Sequence, residues 1–88
     1  MMYAKSQCSR SVQLIDGETL FTYTGRCVIT GKEHSVTITG GDLAAYELGL
    51  NIQDAMPNVT AGDREFLKSG ISPEGWALTF KEIEDGDV

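Results

Sequence analysis

Residues 11–39 read SVQLIDGETLFTYTGRCVITGKEHSVTIT, and the alternation in this stretch decides the fold. Asp16-Gly17 stands between two alternating segments, 11–15 and 19–23. Both residues of an Asp-Gly pair tolerate positive φ, so a two-residue hairpin loop of type I′ is expected. Such a loop pairs Ile15 with Glu18, Leu14 with Thr19 and Val12 with Phe21. It gathers Val12, Leu14, Phe21 and Tyr23 on one face. Gly31-Lys32 then separates 26–30 from 34–39 and predicts a second hairpin. Thr30 would pair with Glu33, Ile29 with His34 and Cys27 with Val36. The two hairpins agree in parity. One middle strand from about 19 to 30 puts Phe21, Tyr23, Cys27 and Ile29 on the face that also takes Val36 and Ile38. Extending the first strand backwards sets Cys8 opposite Gly25.

Beyond Gly40-Gly41 the period changes. Asp42 is a natural N-cap for a helix over 43–48, with Gly49 as its stop. Asn51 caps a short turn, 52–56, closed by Pro57. Thr60 with Asp63 three residues on approximates a capping box for 61–69, and Gly70 ends that helix. Ser72 caps a last helix, about 73–82, with Pro73 at its first position, where a missing N–H costs nothing. None exceeds three turns, so each needs tertiary packing. Leu43, Tyr46, Leu50, Ile52, Met56, Phe66, Leu67, Trp76 and Phe80 are expected to bury against the sheet. The expected fold is α+β: a three-stranded antiparallel β-meander followed by three or four short helices packed on one face. It forms a single domain over 1–83, with the meander at about 8–39, the helical half at about 42–83, and 84–88 as an acidic tail.

The chain has 88 residues, 41% of them hydrophobic and 23% charged, which is ordinary globular composition. No stretch approaches the ~20 apolar residues of a membrane-spanning helix. The start, MMYAKSQCSRS, lacks the apolar run of a secretion signal, so the cytosol is the expected location. Cys8 and Cys27 are then expected to stay reduced.

Net charge is −6, which argues against direct nucleic-acid binding, since phosphate contact needs clustered Lys and Arg. The charge is unevenly divided. Residues 1–41 carry three acids against four bases, a net of +1; residues 42–88 carry ten acids against three bases, a net of −7. The acidity either keeps the protein soluble or steers it toward a basic partner.

Catalytic signals are weak. Cys27 and His34 could form a nucleophile–base pair, but a core thiol beside a histidine at the sheet's end explains them as well. Cys8, Cys27 and His34 lack the close Cys-x-x-Cys spacing of a structural zinc site. Thr30-Gly31-Lys32 lacks the upstream glycine of a phosphate loop and has Glu33 in place of its Ser or Thr. No catalytic residue, metal or cofactor is expected, and the chain reads as a non-enzyme.

Ile52-Gln53-Asp54-Ala55-Met56-Pro57 and Asp63-Arg64-Glu65-Phe66-Leu67-Lys68-Ser69-Gly70-Ile71-Ser72-Pro73-Glu74-Gly75-Trp76 form a specific string. It resembles a motif of small bacteriophage and prophage proteins, including those of single-stranded DNA phages of the microvirus group. The resemblance covers about 46–80, and Lys68 stands where that pattern has an apolar residue. It implies a phage-encoded accessory protein and brings no activity or cofactor with it. Within the motif, Ile52, Phe66, Leu67 and Trp76 read as core. Arg64 and Glu65 either pair with Asp54 or Gln53 or contact a partner. The functional expectation is a binder and inhibitor of a host protein, of anti-defence, anti-CRISPR-like kind, acting through an acidic surface. Its partner is a host or phage protein with a basic surface, and the interface residues are Asp54, Asp63, Arg64, Glu65, Glu74, Glu82 and Glu84. The alternative is a phage structural or assembly protein acting as a homo-oligomer, in its simplest form a homodimer.

Overall fold

The computed structural model describes the backbone of residues 2–86 and the side chains of residues 3–79. The elements run α1 (Met2–Gln7), β1 (Ser9–Ile15), β2 (Glu18–Arg26), β3 (Glu33–Thr39), α2 (Gly40–Glu47), α3 (Ile52–Ala55), α4 (Ala61–Ser69) and α5 (Pro73–Gly86). The three strands form one antiparallel sheet in the order β1-β2-β3, so the architecture is the expected α+β meander with short helices. No described helix is long and apolar enough to cross a membrane.

The first hairpin has the expected register, Ile15↔Glu18 through Val12↔Phe21. Asp16 and Gly17 both take positive φ, 51° and 81°, as a type I′ turn requires. The second hairpin is displaced by four residues. Val36 pairs with Tyr23 rather than Cys27, and His34 pairs with Gly25 rather than Ile29. β2 ends at Arg26 because the next backbone groups are engaged elsewhere. Cys27 N–H donates to the Lys32 carbonyl, Gly31 N–H to the Cys27 carbonyl, and Val28 N–H to the carbonyl of Gly70, which caps α4. A displacement of four preserves parity, so Phe21, Tyr23, Val36 and Ile38 still share one face. The other face is mostly polar; there Thr22 meets Thr37 and Thr24 meets Ser35, each at 2.8 Å between hydroxyl oxygens.

Ala4, Tyr23, Val36, Ile38, Leu43, Ala55, Met56, Phe66 and Leu67 make the core. Each large apolar side chain buried there contributes about 1.5–3 kcal/mol. The helices cover β2 and β3, and none packs extensively on β1. Val12 and Leu14 lie on the core-side face by register, yet they are 55% and 73% exposed. Leu50 and Ile29, expected in the core, are also exposed.

The helix ends follow side-chain capping, with two departures. α2 starts at Gly40, not after Asp42, because the Thr39 hydroxyl accepts from Asp42 N–H and strand runs directly into helix. In α4 the Thr60 hydroxyl accepts from Asp63 N–H, but the Asp63 carboxylate turns away to His34 instead of closing the box. α5 begins as expected, with the Ser72 hydroxyl accepting from Gly75 N–H. It continues to Gly86, past the expected stop near residue 82. The last two residues of the expected acidic tail, Asp87 and Val88, lie outside the described residues. α1 replaces the backward extension expected for β1. Cys8 is still set against Gly25, where its sulfur lies 2.6 Å from the position a Cβ would occupy.

Candidate functional site

The residues expected to form one acidic surface have divergent roles. Asp63 lies in the first turn of α4, and its Oδ1 is 2.8 Å from His34 Nε2, tying that helix to β3. Glu74, in the first turn of α5, accepts from Lys32 Nζ at 3.0 Å. Arg64 donates to the carbonyls of Met56 and Val59 at 3.1 and 2.8 Å. It pins the α3–α4 connection through these carbonyls rather than through Asp54 or Gln53. Asp54 is exposed and Glu65 half-buried. The side chains of Glu82 and Glu84 lie outside the described residues.

Cys27 and His34 take separate partners. Among the described residues, no group of three or more His, Cys, Asp or Glu could hold a metal ion. His34 pairs with Asp63 and sets its ring edge-on to Phe66, 4.8 Å between centroids. Cys27 is 2% exposed at the head of α5, opposite Gly75. Its sulfur accepts from the N–H groups of Ile29, Thr30 and Ser72 at 3.3–3.5 Å. Burial works against ionisation, but the hydrogen bonds from Ser72 and Thr30 outweigh it and pull the thiol from 9.0 down to about 6. Burial pushes Cys8 the other way, upward. Tyr3 is raised as well, by burial first and then by the two neighbouring thiols.

The surface that stands out is apolar. Val12 and Leu14 of β1 project past the helical layer, and Leu48, at the end of α2, is 85% exposed. Beside them Phe21, Leu43, Ala44 and Leu48 line a shallow groove of about 650 Å³. Every residue of β1 is exposed, and among the described residues its outer edge carries no strand partner. Alternation placed Val12 and Leu14 on the core-side face, but it tells which face a residue is on, not whether a second layer reaches it. Arg10 flanks the patch, with its guanidinium 5.3 Å from the centre of the Phe21 ring. Asp16 and Glu18 at the turn and Glu47 in the groove supply acids around it. A contiguous apolar patch with a charged rim is the pattern of a protein-contact surface.

Comparison of the chain with protein-family models, with curated proteins and with solved structures gives no match.

Proposed function

We propose that this chain is a small non-enzymatic protein that binds and inhibits a host protein, with the uncovered face of β1 and the end of α2 as its anchor. The observation that carries the reading is the exposure of Leu14 and Leu48, which flank a groove lined by Phe21 and Leu43. Burial of such side chains against a partner supplies affinity, and the surrounding charge supplies orientation. A net charge of −6 favours a partner with a basic rim and opposes self-association at low salt. Asp54 and Glu65 remain for steering, whereas Asp63 and Glu74 are engaged within the fold. The resemblance of 46–80 to small phage proteins supports a phage accessory role, and occlusion of a basic nucleic-acid channel in a host defence protein is its concrete form.

The free edge of β1 favours a second reading, a homodimer that continues the sheet strand to strand. One experiment separates the two. The wild type and a Leu14→Glu/Leu48→Glu variant are used for affinity capture from bacterial lysate, and both are sized by light scattering. A stoichiometric partner retained by the wild type and lost by the variant supports the inhibitor reading. A multiple of 9.5 kDa that reverts to 9.5 kDa in the variant supports the dimer. A partner held equally by both proteins, with the wild type monomeric, overturns the assignment of the surface.

A further inference from the structure

A second groove, of about 890 Å³, opens between α1, α4 and residues 46–53. Two lysines reach it from separate helices, Lys5 of α1 and Lys68 of α4. Most other cationic side chains among the described residues are engaged. Arg10 lies over Phe21, Arg26 donates to the Gly31 carbonyl, Lys32 pairs with Glu74, and Arg64 holds two carbonyls. Lys5 and Lys68 have no such partner among the described residues, although the chain carries thirteen acids. Both open on the same groove, where Glu47 is the one acid among the described residues. The local charge is therefore opposite in sign to that of the whole molecule.

The rest of the lining suits a ligand that is both anionic and apolar. Leu50 and Ile52 offer hydrocarbon, and the side-chain amides of Asn51 and Gln53 offer donors. A carboxylate reaching either ammonium forms a charge-assisted hydrogen bond, stronger than a neutral one. The groove is open along its length rather than enclosed, so it suits an extended chain held along one side better than a small molecule needing burial on all sides.

We propose that this groove binds an extended acidic peptide segment of a partner protein, its carboxylates meeting Lys5 and Lys68 and an apolar side chain between them resting on Leu50 and Ile52. The inference goes beyond the inhibitor reading and uses a different surface, although Glu47 borders both grooves.

The probe is a fluorescein-labelled peptide of sequence Glu-Asp-Leu-Glu-Leu-Asp-Glu, followed by fluorescence anisotropy at about 0.05 M and 0.15 M salt. A peptide with every acid replaced by Lys is the control. The acidic peptide should bind, more weakly at the higher salt, and the Lys peptide should not. Lys5→Glu/Lys68→Glu should weaken binding at least about tenfold, which is about 1.4 kcal/mol. Lys5→Gln/Lys68→Gln should weaken it less, and Arg10→Glu/Arg26→Glu, with the same change in net charge as the Glu pair, should leave it unchanged. Circular dichroism confirms that each variant is folded, as exposed positions predict. Absence of binding, an equal loss in the arginine variant, or full competition by free glutamate at matched carboxylate concentration overturns the proposal. The Leu14→Glu variant, altered only on β1, should bind this probe like the wild type, so failure of one reading leaves the other testable.

Discussion

Lowering the pH from about 9 to about 6 should weaken the fold through a single side chain, the Cys27 thiol. Burial alone would raise its pKa. Hydrogen bonds from the hydroxyl and N–H groups of Ser72 and Thr30 more than offset that and hold it at about 6, against an ordinary 9.0. The folded value lies below the unfolded one, so ionisation favours the folded state. The stabilisation is complete above about pH 9, declines as the pH falls, and is gone below about pH 6. A gap of that width corresponds to about 4 kcal/mol at most, since one pH unit is worth ~1.36 kcal/mol. The comparison of wild type with Cys27→Ala removes the contribution of every other titrating group. Urea unfolding of both proteins at about pH 6 and pH 9 should show their stability difference growing by about 2–4 kcal/mol toward the alkaline side. The ultraviolet absorbance of the thiolate gives an independent reading. The wild type should ionise in two separate steps, because burial moves Cys8 upward, and Cys8→Ser should keep only the lower one. A single step near 9 with a pH-independent stability difference would refute the claim that backbone and hydroxyl donors of the loop and α5 hold a thiolate.

Other expectations concern the joints of the fold. His34→Ala and Asp63→Asn each remove the link between β3 and α4; a double-mutant cycle by chemical denaturation should give a coupling of about 0.5–1 kcal/mol, modest because both groups are partly solvated. Gly70→Ala should lower stability by about 1–3 kcal/mol in thermal melts, because φ is 83° there and a Cβ would stand 2.7 Å from the Tyr3 ring. Leu14→Glu should change stability by no more than about 0.5 kcal/mol, whereas Phe66→Ala, in the fully buried centre, should cost about 3–5 kcal/mol by the same assay.

The first hairpin was legible because Asp16-Gly17 dictates loop length, and loop length dictates register. The second was legible only in parity. Gly31-Lys32 marks a turn, but the chain closes it as a longer loop because Cys27 and Val28 spend their N–H groups on Lys32 and Gly70. Gly70 is 42 residues away from Val28, and a bond of that range leaves no local trace. The short helix α1 was missed for a related reason: its six residues are helical because Tyr3 and Ala4 pack within the fold. The caps at Thr60 and Ser72 could be read directly, since a hydroxyl three residues before its N–H is a local relation. Of the expected interface, the charges were visible but not their partners. Asp63 meets His34 and Glu74 meets Lys32 across 29 and 42 residues. The apolar patch escaped sequence reasoning altogether, because Val12 and Leu14 carry the same alternation as buried residues and only the reach of the helices distinguishes them.

Amide hydrogen exchange on the complex would locate the contact surface proposed on β1 and the end of α2. The captured partner is added to the protein, and exchange is followed at the amides of residues 9–15 and 43–50, against those of α4. Slowed exchange over β1 and the end of α2, with α4 unchanged, is the expected result. Slowed exchange confined to α4 and the start of α5, with β1 as fast as in the free protein, would contradict it and return the interface to the acidic helices.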